Sequence, residues 1–268
     1  MRPARQTTLV ASDGVELAAS LQTGVGGPVF VLVHGFNGHG RQSRVRVIGD
    51  RLADFGDVIT VDMRGHGRSG GKSTVGRLEV LDLDAAVHWA RELGYASVIA
   101  VGFSLGAAVA IRQAGLALDP GNGSAGDPIV NSPPDVVIAV SGPAFWYYRG
   151  TPVMRLVHWL IQTRLGRLAL GVQGTRVAPD QWPETIPIEP VAAAGMLGTT
   201  PLLVVHGTVD RYFPLEHPKA LHRAASSGGS SDAELWVLEG FGHAEAAVDL
   251  DTVDELARWG VARCLDSS

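Results

Sequence analysis

A chain of 268 residues, 46% hydrophobic and 18% charged, buries one large core with an insertion and is too short for two ordinary enzyme domains. This composition excludes a disordered chain, and a net charge of −5 gives no basis for nucleic-acid binding. The single cysteine, Cys264, cannot form an intrachain disulfide, which fits a reducing, cytoplasmic compartment, and its apolar helical surroundings predict a buried filler.

Residues 1–11 carry arginines but no apolar stretch of the length a signal peptide needs. The longest apolar run, 96–111, is interrupted by Gly102, Ser104 and Gly106 and is short of the ~20 residues of a membrane span. It reads as a buried strand followed by a buried helix. Asn122-Gly123-Ser124 matches a glycosylation acceptor, read as a chance match in a chain without secretion.

Residues 15–21 alternate loosely after the turn signal Asp13-Gly14 and predict an edge strand. Continuous β-branched runs at 29–33, 58–61, 97–101, 136–140, 202–205 and 235–238 predict strands, the central ones covered on both faces. Between them, Leu78, Leu81, Ala85, Ala86, Trp89 and Leu93 share one helical face. Further helices are expected at 107–117, around Leu221 and over 253–264. Such alternation points to an α/β chain with a mostly parallel sheet and helices on both faces. Two segments break the pattern. Residues 118–134 are rich in Gly, Pro, Asn and Asp and predict a mobile surface loop without a catalytic role. Residues 142–199 form an insertion of cap size, with a helix over 152–163 that starts on Pro152. The expected division is therefore 1–141 with 200–268 as the main domain, and 142–199 as the cap.

The chemistry centres on Gly102-Phe103-Ser104-Leu105-Gly106, between a predicted strand and a predicted helix. A serine on such a turn projects its hydroxyl above the sheet, with the next backbone N–H aimed at the same point. The flanking glycines let the backbone bend and let strand and helix pack closely. A nucleophilic serine needs a base, ordinarily a histidine oriented by a carboxylate. Asp210 follows the strand at 202–205, and His243 follows the strand at 235–238. Asp180, Asp232 and Asp249 are rival acids, but none directly follows a predicted buried strand. His88, His217 and His222 read as helix residues without a catalytic role, and His39 as a candidate substrate contact. No set of His, Cys and carboxylate residues has metal-ligand spacing, so no metal site and no cofactor is expected.

Five blocks now stand in order: His34-Gly35-Phe36, Asp62-Met63-Arg64-Gly65-His66-Gly67-Arg68-Ser69, the serine turn, His206-Gly207-Thr208-Val209-Asp210 and Gly240-Phe241-Gly242-His243. Each follows a predicted strand. In these blocks, from about residue 15 to residue 264, the chain resembles the α/β-hydrolase superfamily, in its small-cap esterase or monoglyceride-lipase-like (lysophospholipase-like) branch. The resemblance implies an eight-stranded sheet and a small helical cap. It implies that Ser104, Asp210 and His243 form a catalytic triad and that the N–H groups of Phe36 and Leu105 bind an oxyanion. It also implies that Phe36 walls the acyl pocket, that His34 braces the oxyanion loop, and that Asp62 and Arg64 bond to backbone in a structural turn. A plain core role for Phe36 stays open.

The expected function is a serine hydrolase that cleaves a carboxylic ester of a small molecule through an acyl-enzyme. A thioesterase, a carbon–carbon-bond hydrolase or an acyltransferase would use the same residues, and a non-catalytic binding or sensor protein could keep the fold. Substrate selection falls to the cap. Residues 136–179 contain Arg149, Arg155, Arg164, Arg167 and Arg176 and no Asp, Glu or Lys, a formal charge of +5. This stretch reads either as a solvated basic surface or as a contact for an anionic substrate or membrane. Trp146, Tyr147 and Tyr148, with Val153, Met154, Leu156, Val157, Leu160 and Ile161, supply an apolar lining or a membrane-facing patch, or, for the aliphatic set, packing onto the main domain, which is the favoured reading over a lipid contact. Trp146, Leu156 and His39 are the named pocket candidates. Oligomeric state is left open.

Overall fold

The computed structural model describes residues 2–119, 121, 123, 126–179, 186–230 and 232–266. Eight strands form one sheet: β1 (Ala4–Val10), β2 (Glu16–Gln22), β3 (Val29–Val33), β4 (Asp57–Val61), β5 (Val98–Phe103), β6 (Val136–Val140), β7 (Leu202–Gly207) and β8 (Ala233–Leu238). Their spatial order is β1-β2-β4-β3-β5-β6-β7-β8. The pairs from β4 to β8 are parallel; β2 runs antiparallel to both β1 and β4. This is the α/β-hydrolase arrangement. The expected edge strand at 15–21 is instead an inner neighbour, because β1 lies outside it. β1 was not legible as a strand, since only Leu9 of its seven residues is buried and the rest carry no apolar alternation.

The helices between and after the strands are α1 (Ser43–Leu52), α2 (Glu79–Glu92), α3 (Leu105–Leu118), α4 (Pro152–Gln162), α5 (Arg164–Val172), α6 (Pro190–Ala194), α7 (Glu216–Ser227), α8 (Ala244–Ala247) and α9 (Leu250–Asp266). The β-branched strands are apolar throughout because each face meets a helical layer. Val29, Val31 and Val33 join one core with residues of α2, α3, α6 and α7. Phe30 and Leu32 join a second core with α1 and α9. Cys264 is buried in that second core, and burial pushes its thiol up to about 11, so it stays protonated and inert.

The loop after α3 was expected to be mobile, but its described residues are tied down. Asp127 accepts hydrogen bonds from the buried Arg112 guanidinium and from the N–H of Ile188 at 3.0 Å. Asp84 accepts from Asn131 N at 3.0 Å and Ser132 N at 2.8 Å. A buried cation requires a carboxylate, and this requirement fixes the loop. The Asn122-Gly123-Ser124 match lies at positions 122 and 124, outside the described residues.

In the insertion α4 lies over the cavity at the strand ends and α5 packs against it. Each helix starts on a threonine cap: Thr151 accepts from Met154 N at 3.2 Å, and Thr163 from Gly166 N at 3.0 Å. A bridge between Ser73 and Val177 ties the insertion to the loop after β4. Its last part belongs with the main core, where Ala193, Ala194 and Leu197 are buried against α3. Among the described residues no helix is long and apolar enough to cross a membrane.

The turn from β5 to α3 packs backbone directly against backbone. A Cβ on Gly106 would lie 2.4 Å from Val33 O, and one on Gly102 would lie 2.2 Å from Gly106 O. Both obstacles are backbone atoms and cannot rotate away. Gly106→Ala is expected to cost several kcal/mol, a Tm loss on the order of 10 °C. Gly171→Ala in α5, where a Cβ meets nothing within 4 Å, is expected to hold or raise Tm by a degree or two. Equal melting temperatures for both variants would refute this packing argument.

Candidate active site

Parallel strands bring the loops at their carboxyl ends to one edge of the sheet, and the expected residues meet there. Ser104 follows β5, Asp210 lies three residues beyond β7, His243 five beyond β8, and Phe36 three beyond β3. Ser104 has φ +51° and ψ −113°. An L-residue in this region stores roughly 1–3 kcal/mol of strain. The turn holds because Ser104 N donates to Val140 O at 2.8 Å and Ser104 O accepts from Ala107 N at 3.1 Å.

His243 bridges the other two side chains. Its Nδ1 lies 2.7 Å from Asp210 Oδ2, and its Nε2 lies 2.9 Å from Ser104 Oγ. An ionised carboxylate only accepts, so Nδ1 carries the proton and Nε2 presents its lone pair to the serine hydroxyl. The Asp210 side chain is fully buried and also accepts from Tyr212 N at 2.7 Å and Phe213 N at 3.2 Å. Burial alone would raise the Asp210 pKa. The hydrogen bond from His243, its charge and the Tyr212 N–H outweigh burial and hold the carboxyl below its usual range. A base bonded to a hydroxyl on one side and to a fixed anion on the other can deprotonate that hydroxyl. The rival acids lie elsewhere: Asp249 accepts from Thr252 N, Asp232 precedes β8 at the opposite end of the sheet, and Asp180 falls outside the described residues.

The segment after β3 is held from three sides. His34 Nδ1 donates to Gly35 O at 2.7 Å while its Nε2 accepts from Met63 N at 3.0 Å. His66 Nε2 donates to Phe36 O. Glu245 Oε1 accepts from Gly35 N at 2.5 Å. Gly40 N is also anchored, to Asp62 Oδ1 at 2.6 Å. Among the described residues the N–H groups of Phe36 and Leu105 donate to no partner. Asp62 bonds to backbone, as the resemblance implied. Arg64 does not; its buried guanidinium pairs with Asp82 and Asp13, because desolvated charge needs opposite charge.

Above Ser104 and His243 lies a cavity of about 670 Å³. Phe36, Trp146, Met154, Val157 and Ile161 give it apolar walls; Asn37, Gln42, Arg44 and Glu245 form a polar side. Trp146 thus lines the cavity. Leu156 and His39 do not: Leu156 is exposed on the outer face of α4, and His39 Nδ1 accepts from Arg41 N in the loop. Neither position was legible, because helix rotation and loop direction are set by packing.

Two further residues at this site were not legible in the sequence. The Tyr212 ring stacks on the His243 imidazole, with centroids 4.0 Å apart and planes 22° apart. Glu245, two residues after His243, supports the Phe36 segment and lines the cavity. Burial raises the Glu245 pKa. Its nearness to His243 in sequence was the available signal.

Four buried histidines surround this site. Burial drives His34 down to about 3 and His217 to about 4, and also lowers His66 and His206. They stay neutral in the folded chain, whereas the unfolded chain protonates them near 6.5. Between the folded value and 6.5 the unfolded state binds more protons, so stability falls as pH drops. Each such histidine contributes up to about 1.4 kcal/mol per pH unit. Tm is expected to decline steadily below about pH 6.5, and an unchanged Tm down to about pH 5 would contradict this electrostatic account.

A family profile described as Alpha/beta hydrolase family matches residues 30–259. No curated protein sequence gives a significant match. Among solved structures, the esterase Pf2001 of Pyrococcus furiosus is similar at 21% identity, over 98% of this chain and 91% of that one, with a TM-score of 0.69. Est1E of Butyrivibrio proteoclasticus, solved with ferulic acid bound, is 18% identical over 97% of this chain and 98% of its own, with a TM-score of 0.60. The α/β hydrolase GrgF from Penicillium sp. sh18 is 16% identical over 97% and 98%, with a TM-score of 0.67. At these identities the likeness is one of fold. The profile match spans most of the chain, and with the sheet order and the strand-end loops it makes this chain a member of the alpha/beta hydrolase family.

Proposed function

We propose that the chain is a serine esterase of the small-cap branch, acting on a small-molecule carboxylic ester. The observation that carries the reading is the hydrogen-bonded line Asp210–His243–Ser104, at 2.7 and 2.9 Å, beneath a largely apolar cavity. Ser104 Oγ attacks the ester carbonyl carbon as His243 Nε2 takes its proton. The carbonyl oxygen becomes an oxyanion that accepts from the Phe36 and Leu105 N–H groups. Asp210 stabilises the charged imidazole. The tetrahedral species collapses as His243 protonates the departing alcohol. Water then loses a proton to His243 and attacks the acyl-serine, releasing the acid and restoring the serine.

Glu245 and His66 are positioning residues in this scheme, since both hold the Phe36 segment. Tyr212 keeps the imidazole in plane with its partners. The apolar walls suit an aliphatic or aryl acyl group. A cytoplasmic location belongs to the same proposal and is supported by the single, buried Cys264.

A chain-length series of p-nitrophenyl esters, run beside matching acyl-CoA thioesters, tests the reading. The expected result is ester turnover with a preferred chain length, and a loss of about four to six orders of magnitude in kcat in Ser104→Ala. Faster turnover of thioesters would move the assignment to a thioesterase. Ester hydrolysis that survives in Ser104→Ala, or no turnover by folded wild type, would overturn it.

A further inference from the structure

We propose that the outer face of α4 and α5 docks on an anionic lipid surface. A helix that covers a cavity needs one apolar face. These two helices have two. Met154, Val157 and Ile161 of α4 face the cavity and Leu170 of α5 packs inward with Ile161 and Val177, yet Leu156, Trp159, Leu165, Leu168 and Val172 stand on the outside at 57%, 48%, 72%, 67% and 83% exposure. Leu165, Leu168 and Val172 follow i, i+3, i+7 spacing, so they form one stripe. Leu156 and Trp159 form a second stripe on the neighbouring helix. Large apolar side chains gathered on adjacent helices mark a contact surface.

The charge around the stripes selects the partner. Arg155 lies four residues before Trp159, and Arg164 four before Leu168, so each guanidinium shares a face with an exposed apolar residue. Among the described residues none of Arg149, Arg155, Arg164, Arg167 and Arg176 pairs with a carboxylate. Arg149 donates to the Gln162 side chain, and Arg155, Arg167 and Arg176 donate to backbone carbonyls, so their charge is not neutralised. A bilayer with anionic headgroups offers hydrocarbon and phosphate side by side, matching leucine and tryptophan beside arginine. A symmetric contact with a second copy would instead set this basic face against its own like charge. The inner face of α4 walls the cavity, so docking would bring it within about one helix diameter, ~10 Å, of the lipid.

Flotation with vesicles tests this on Ser104→Ala protein, which keeps binding separate from hydrolysis. The probes are phosphatidylcholine vesicles with and without roughly one-third phosphatidylglycerol. Wild-type surface residues should give flotation with the anionic vesicles only, weakened about tenfold by ~0.5 M salt. The double variants Leu165→Ser/Leu168→Ser and Arg155→Gln/Arg164→Gln should each lose about tenfold in partitioning. In the Ser104 background, both pairs should leave hydrolysis of a soluble short-chain ester within about twofold, since none of the four lines the cavity. Absent flotation, equal flotation with neutral vesicles, or unchanged flotation of both variants would overturn the proposal. So would a solution dimer that Leu168→Arg dissociates. Failure here leaves the esterase reading intact, and failure of ester turnover leaves the flotation result intact.

Discussion

Backbone-to-backbone contact between the β5–α3 turn and β3 is the constraint on which the site depends. Gly106 sits so close to Val33 and His34 that their carbonyl oxygens occupy the space of a side chain. This contact lets α3 begin directly at the sheet edge. Ser104 is thereby forced to φ +51°, with its Oγ lifted toward the loops after β7 and β8. The strain is local, and the hydrogen bonds of Ser104 to Val140 and Ala107 hold it. A looser turn would relax the serine backbone and lose the line to His243.

Electrostatics divides the neighbourhood into silent and active parts. Histidines 34, 66, 206 and 217 are kept neutral by burial and serve as hydrogen-bonding struts. His243 differs because it is partly exposed at the cavity floor and backed by the buried Asp210 carboxylate. Charge placed on its ring therefore has a fixed counter-charge 2.7 Å away. The buried cations Arg64 and Arg112 lie outside this circuit. Each is matched by carboxylates, Asp13 and Asp82 for one and Asp127 for the other, and holds loops around the site.

Much of this was legible in the chain because parallel strands covered on both faces leave continuous β-branched runs. Those runs located β3 to β8, and hence the strand ends where Ser104, Asp210, His243 and Phe36 stand. β1 escaped because most of its residues face solvent, and α1 because arginines break its apolar pattern. The cap was visible as an interruption, but not its internal arrangement. Which side of α4 faces the cavity depends on helix rotation, so Leu156 was assigned inward and lies outward. Tyr212 and Glu245 reach the site through ring stacking and a long-range hydrogen bond, which no local spacing encodes.

The central claim is that Ser104 is a nucleophile activated by His243. Intact-mass analysis after treatment with a fluorophosphonate, with peptide mapping of the adduct, tests it most directly. The account predicts one phosphonyl adduct on Ser104, none in Ser104→Ala, and labelling slowed by at least about a thousandfold in His243→Ala. An adduct on another residue, or folded wild type that takes up no label, would contradict it.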